Sequence, residues 1–427
     1  MLDPQSYVRR FGLRGALNAA DPTRLRGAQA RSFNDYALHT YRQVSRLGSV
    51  EALELDVERD LVTSVSGAAL DVSFAKRVEG RDSACLTAEL NVSDFASACA
   101  RLLRESERST YKRHYPWIDR VEEITDNTEI VELELAAAAR LGRQSFSEFD
   151  LFPPELVPSE IVQFKLFPRE GGLVVVEPDI SLLRFPLGES TNANTAKGAL
   201  ERYKLVGIDT DGEEVARWSF WECLHHEFRQ AGHTIVLDSG RWYRVGGRFA
   251  NDIEQFIENL GPSGLELPYA LRGETEGKYN ERAASCNGLT LLDKRLIRID
   301  GQSAIEACDL FSSEGHFIHV KHRKGGSSPL SHLFGQALVS AECLVREPEF
   351  RTKLREKLDQ PLATLIAEPP VAINHPIVLG LITKSATSGY PARGLPFFSK
   401  VFLRQVIRRL TVMQFEVYVD EIPTPIP

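Results

Sequence analysis

The sequence predicts an α/β protein, with an α+β N-terminal part followed by a mixed sheet flanked by helices. Two observations carry that class. The last third alternates short apolar runs with amphipathic stretches in the order βββ-α-(α)-β-α-β. The proline-rich DLFPPELVPSE separates this pattern from an acidic, helix-prone stretch before it, which places a boundary near residue 160. The expected domains are therefore 1–160, with an arginine-rich arm at its start, and 161–427.

Taken in order, residues 1–48 carry eight arginines against Asp3, Asp21 and Asp35 and read as an irregular or helical arm. VEALELDV, LVTSVSG, ALDVSF and ACLTAELNV are short strand candidates, and FASACARLLRE is a helix. Past the boundary, YKLVGIDTDGEEVARWSF reads as two strands about an Asp-Gly turn. WECLHHEFRQAG reads as a helix closed by Gly232, and HTIVLDSGRWYRVGG as a hairpin turning at Ser239-Gly240. FANDIEQFIENLG is a helix. LTLLDKRLIRI (289–299), SAIEACDLF and HFIHVKHRK are three consecutive strands, joined by turns at Asp300-Gly301 and at 312–315. The helical SHLFGQALVSAECLVRE and FRTKLREKL, the strand HPIVLGLITK, the helix FFSKVFLRQVIRRL and the strand MQFEVYV follow.

Composition narrows the function classes. With 43% hydrophobic and 26% charged residues and no long uncharged apolar window, the chain lacks the signature of a membrane span. The N-terminus lacks the apolar run of a secretory signal, which predicts a cytoplasmic protein. The six cysteines show no C-x-x-C spacing, so neither a zinc knuckle nor a disulfide framework is expected. A net charge of −8 argues against indiscriminate nucleic-acid coating, yet from Lys384 to Arg409 there are six cations and no carboxylate. Separate basic segments in an acidic chain fit a nucleic-acid groove, although solvated helix faces explain such runs more often.

The candidate chemistry concentrates between residues 279 and 342. In HFIHVKHRKGGSSPLSH, alternation puts His319 and Lys321 on one strand face. The loop after it offers Arg323, Lys324, Ser327, Ser328 and Ser331 ahead of a helix start, an arrangement that suits an anion or is an ordinary N-cap. His332 and Gln336, four apart, share a helix face toward the strands and can contact a base or sugar. Asp293 follows two leucines and is expected to face inward, as an acid/base or as a salt-bridge partner. Asp309 precedes Lys321 across a tight turn. Glu306 lies three residues before Asp309, a spacing that in a strand points the two to opposite faces. Tyr279 and Arg282, with Trp218, Trp221, Trp242 and Tyr243, can stack on a flipped base or are simply core.

The strand order, with Asp309 before the triplet His319-Val320-Lys321, resembles the restriction-endonuclease-like superfamily, whose motif pairs an acid with E-x-K or Q-x-K. That resemblance implies a nuclease-like core at 286–427. Histidine stands here where the family has Glu or Gln, and imidazole suits Mg²⁺ poorly. Together, YKRHYPWID, RWYRV, GKYNERAA, LLDKRLI, EACDLF and HVKHRKGGSSPLSHLFGQALVSAE resemble a sporadically distributed bacterial family of uncharacterised proteins, often encoded on mobile or defence islands. The resemblance implies anti-phage defence by a DNA glycosylase that excises glucosylated hydroxymethylcytosine and leaves abasic sites. It implies catalysis by Asp309 or Asp293 with Lys321 or His319, no cofactor, and phage DNA as partner. Serines, His332 and Gln336 would meet the modified base. A Mg²⁺-dependent nuclease and a non-catalytic DNA binder are the alternatives.

Overall fold

The computed structural model describes all residues except 1–7, 33–37, 45–52, 54, 56–57, 59, 143–145, 147–148, 155–159, 168–172, 177, 189–191, 287, 300–303, 324–327, 384–391, 393 and 425–427. Among the described residues the protein is a mixed α+β structure, with eleven α-helices beside four sheets, three antiparallel throughout and one mixed. The chain divides into two compact units, Met1–Gly247 and Arg248–Pro427.

The division differs from the boundary expected near residue 160. Strands Val121–Glu123 and Phe149–Leu151 form the edges of a sheet whose centre is Leu224–Gln230, His233–Asp238 and Arg241–Val245, so hydrogen bonding carries the first unit across the proline cluster. The arginine-rich start, read as an irregular or helical arm, carries both helix and strand among the described residues. Phe11–Ala19 is a helix and Ala20–Ser32 and Leu38–Gln43 are paired strands. Arg9 binds Glu123, Arg10 lies 3.7 Å from Asp119, and the Arg42 guanidinium donates to Leu53 O at 2.9 Å. The helix sits directly on its sheet because Gly80 faces Gly12; a Cβ on Gly80 would lie 1.8 Å from the Gly12 carbonyl oxygen.

The helix expected over WECLHHEFRQAG shrinks to Phe220–Cys223, followed by strand Leu224–Gln230. Ala231 and Gly232 both adopt positive φ (49° and 81°), which makes a two-residue hairpin turn into His233–Asp238. Ser239 and Gly240, at 50° and 70°, repeat the device one strand later, as the sequence predicts. Trp218, Trp221 and Trp242 are buried in the hydrophobic core of this unit, and Tyr243 is buried beside Trp242 on the same strand.

In the second unit the elements are α1 (Gly247–Glu258), α2 (Glu276–Cys286), β1 (Thr290–Leu291), β2 (Leu310–Phe311), β3 (Phe317–His322), α3 (Ser328–Arg346), α4 (Pro348–Lys357), β4 (Ile377–Thr383), α5 (Phe397–Val412) and β5 (Val417–Pro423). They form one sheet in the order β1-β2-β3-β4-β5, antiparallel over the first two pairings and parallel over the last two. Every residue of β4 is buried, as a central parallel strand requires. Leu310, Ile318, Val320, Val378 and Ile422 pack against Tyr279 and Ala283 of α2. The 312–315 turn between β2 and β3 is built by Ser312, whose Oγ accepts from the N–H of Glu314 (3.2 Å) and His316 (3.0 Å). Gly315 closes it at φ 90°, where a Cβ would meet Asn374 O at 2.9 Å.

The first two expected strands are much shorter than the apolar runs suggest. β1 and β2 hold two residues each, with one further bridge between Ile297 and Ile305. Asp293 and Lys294, in a turn, and Glu306, just past the Ile305 bridge, therefore lie off the ladder at the end of the sheet. The Asp300-Gly301 turn falls outside the described residues.

Candidate active site

The site is assembled by backbone groups that the short strands leave unpaired. Where β2 stops, the Asp309 carboxylate takes over from a strand carbonyl and accepts the Val320 N–H at 2.6 Å. The Asp309 main-chain oxygen accepts from both Leu292 N and Asp293 N, each at 2.9 Å, which folds the 292–294 turn over the end of β2. Lys294 N then donates to the Glu306 carboxylate. This turn holds Lys294 at φ 62°, a left-handed conformation that costs a non-glycine residue about 1 kcal/mol.

Three carboxylates converge as a result. Asp293, Glu306 and Asp309 each offer an oxygen, and these oxygens all lie within 4.8 Å of one another. The expected separation of Glu306 and Asp309 does not occur, because 306–308 is not strand and alternation does not apply to it. Gln336 on α3 holds Glu306 from the other side through its Nε2 (2.5 Å), and Ser340, one turn further, binds Ala307 O.

Like charges this close in a partly dry site resist ionisation. Burial, together with the charges of Glu306 and Asp293, pushes the Asp309 carboxyl from its ordinary 3.8 up to about 7, against the opposing Val320 N–H and Lys321. Glu306 moves upward too, through burial and the Asp293 charge, with the Lys294 N–H opposing.

Lys321 supplies the neighbouring cation. Its Nζ lies 2.9 Å from Glu276 Oε2, while the other oxygen of Glu276 accepts His322 N at 3.0 Å. Glu276 stands in the first turn of α2, where a carboxylate also meets the positive end of the helix. His322 Nε2 sits 2.8 Å from Glu274 O. The groups open onto a pocket of about 710 Å³, walled also by Lys278, Asn280, Lys294 and His332.

The structure thus brings together Asp293, Asp309, Lys321, His332 and Gln336 of the expected site. His319 is elsewhere. It has no exposed surface, neither ring nitrogen has a partner among the described residues, and burial holds its pKa down at about 3, so it is a neutral side chain within the sheet packing. Tyr279 is buried and donates to Pro268 O at 2.9 Å, and Arg282 is engaged by Glu274 and Tyr269 O. Neither presents a face to the pocket. Arg323 binds Gly394 O. Lys324 and Ser327 fall outside the described residues, as do the side chains of Ser328 and Ser331.

Sequence reasoning passed over Glu276 and Asn280. They lie four residues apart on α2, on the same stripe as the core residues Tyr279 and Ala283, and both line the pocket. An acid in a first helical turn looks like ordinary dipole compensation, so only its distance to Lys321 marks it.

Three oxygen donors with no nitrogen or sulfur among them form the set that a hard divalent cation such as Mg²⁺ or Mn²⁺ takes. The raised Asp309 and Glu306 carboxyls fit that role, since a cation would relieve the repulsion that now disfavours their ionised forms.

The chain belongs to the DUF6119 family, a family of unknown function whose profile matches residues 1–423. No curated protein and no solved structure matches it. Among the described residues, no helix is long and apolar enough to cross a membrane.

Proposed function

We propose that the second unit is a divalent-cation-dependent hydrolase of phosphodiester bonds in DNA, with a restriction-endonuclease-like core running from α2 to β5. The observation that carries this reading is the convergence of Asp293, Glu306 and Asp309 beside Lys321 at the end of a βββ-α-β-α-β sheet. Glu306 supplies the carboxylate that the sequence motif lacks at His319. Asp293, Glu306 and Asp309 would hold the cation, which when bound polarises a phosphoryl oxygen and lowers the pKa of water. Lys321, oriented by Glu276, offsets charge that develops on the phosphate in the transition state. Lys278 and Lys294 around the acidic floor give a polyanion a cationic approach. The biological setting we propose is defence against phage carrying modified cytosines, which rests on the family resemblance of the 316–342 segment.

A second reading has its own observation. Asp309, at about 7, is poised for proton transfer near neutral pH without a metal, and a carboxylate of that kind can promote hydrolysis of an N-glycosyl bond. One experiment separates the two. Full-length protein is incubated with glucosylated phage DNA and with unmodified DNA, in EDTA or in Mg²⁺, and each product is run with and without alkali. Direct breaks that need Mg²⁺ are expected. Alkali-dependent breaks in EDTA, confined to glucosylated DNA, would replace the nuclease reading with the glycosylase one. Intact DNA under every condition would remove both.

A further inference from the structure

The wall of the pocket carries a polar group that the protein itself does not satisfy. Asn280 is 1% exposed, lines the pocket one turn beyond Glu276, and its Oδ1 is buried without a hydrogen-bond partner among the described residues. A buried amide oxygen left unpaired destabilises a fold, and such groups persist where a ligand completes them. Asn280 shares a stripe of α2 with Glu276, Tyr279 and Ala283; Tyr279 and Ala283 pack in the core, whereas Asn280 and Glu276 border the pocket that the acids and Lys321 line. An amide oxygen accepts, so what it awaits is an N–H or O–H donor.

The pocket size limits what can bring that donor. About 710 Å³ falls within the range of sites that enclose one small ligand, and it suits a single nucleotide unit taken out of a duplex or belonging to a single strand. We propose that Asn280 is the specificity-determining residue of this pocket, accepting a hydrogen bond from a donor on one extruded nucleotide, with the exocyclic amino group of cytosine or adenine as the first source. This rests on reading the pocket as a nucleic-acid site, and it holds whichever bond is cut.

The test uses the full chain carrying Asp309→Asn, so that nothing is cleaved, and measures binding of labelled single-stranded oligo(dC) and oligo(dT) in EDTA by fluorescence anisotropy. Cytosine presents an N4 amino donor where thymine presents an O4 acceptor. The expected result is about tenfold tighter binding of oligo(dC). Adding Asn280→Leu should bring the ratio to about 1, while Asn280→Asp, which keeps an acceptor in place, should retain the preference. The melting temperature of Asn280→Leu should hold or rise, because an apolar side chain with the same number and branching of heavy atoms removes an unpaired buried amide. Equal binding of dC and dT with tenfold tighter binding of glucosylated DNA, lost in Asn280→Leu, supports the same acceptor with a sugar hydroxyl as the donor. Discrimination unchanged by Asn280→Leu, no discrimination in any arm, or a lowered melting temperature in Asn280→Leu overturns the proposal. Cleavage by the wild-type protein without discrimination would defeat this inference alone. Discrimination without cleavage would defeat the hydrolase reading and leave this one standing.

Discussion

Replacing Asp309 by Asn should make the metal-free protein more stable at neutral pH while removing its activity. Asp309 has an unfolded pKa near 3.8 and a folded pKa of about 7, so the folded state favours its protonated form. Stability from this group is fully present below pH 3.8, falls as pH rises, and is lost above about pH 7. At about 1.4 kcal/mol per tenfold change in proton affinity, the ionised carboxylate costs the fold up to about 4 kcal/mol at pH 8. Asn matches the shape, carries no charge at any pH, and keeps an oxygen to accept the Val320 N–H. Urea denaturation in EDTA at pH 4 and pH 8 reads the effect. The variant and wild type should agree within about 1 kcal/mol at pH 4, and the variant should be more stable by several kcal/mol at pH 8. Millimolar Mg²⁺ should then narrow the gap by stabilising the wild type, by about 2.7 kcal/mol at a hundred times Kd, without effect on Asp309→Asn. A variant no more stable than wild type at pH 8 in EDTA would refute the account of repelling, buried carboxylates.

Lys321→Met should lower kcat for DNA cleavage by about 10²–10³, and Glu276→Gln by about tenfold, because the glutamine still accepts His322 N but no longer fixes the ammonium by charge; single-turnover cleavage at saturating Mg²⁺ measures both. Equal losses in the two variants would mean that Glu276 acts in its own right. His319→Leu should keep full activity and gain about 1–3 kcal/mol of stability, since it removes an unpaired buried imidazole; a collapse of cleavage without unfolding would restore His319 to the site. In the first unit, burial opposes the charge on His225, but Asp238 and Glu227 outweigh it and raise the pKa to about 10. The stabilisation is present below pH 6.5 and lost as pH rises through 10, up to about 5 kcal/mol, so His225→Asn should flatten the fall in urea midpoint between pH 7 and 10.

Periodicity made the second unit legible. The apolar run of β4 reads directly as a buried central strand, and His332 and Gln336, four apart on α3, both line the pocket. The same periodicity misled where strands end early. Alternation assigned His319 and Lys321 to one site and separated Glu306 from Asp309, yet only Lys321 reaches the pocket and both acids do. In LHHEFRQ, the apolar spacing fits a helix, but pairing with His233–Asp238 across the Ala231-Gly232 turn makes it a strand.

The sequence by itself determined which segments can be buried and in what order they alternate, because side-chain polarity at a fixed backbone period is a local property. Only the tertiary structure decided which carboxylates meet. Asp293, Glu306 and Asp309 are brought together by the N–H groups of Leu292, Asp293, Lys294 and Val320, left unpaired where β1 and β2 stop. Where a ladder stops depends on what the partner strand offers, and no single stretch of chain encodes that.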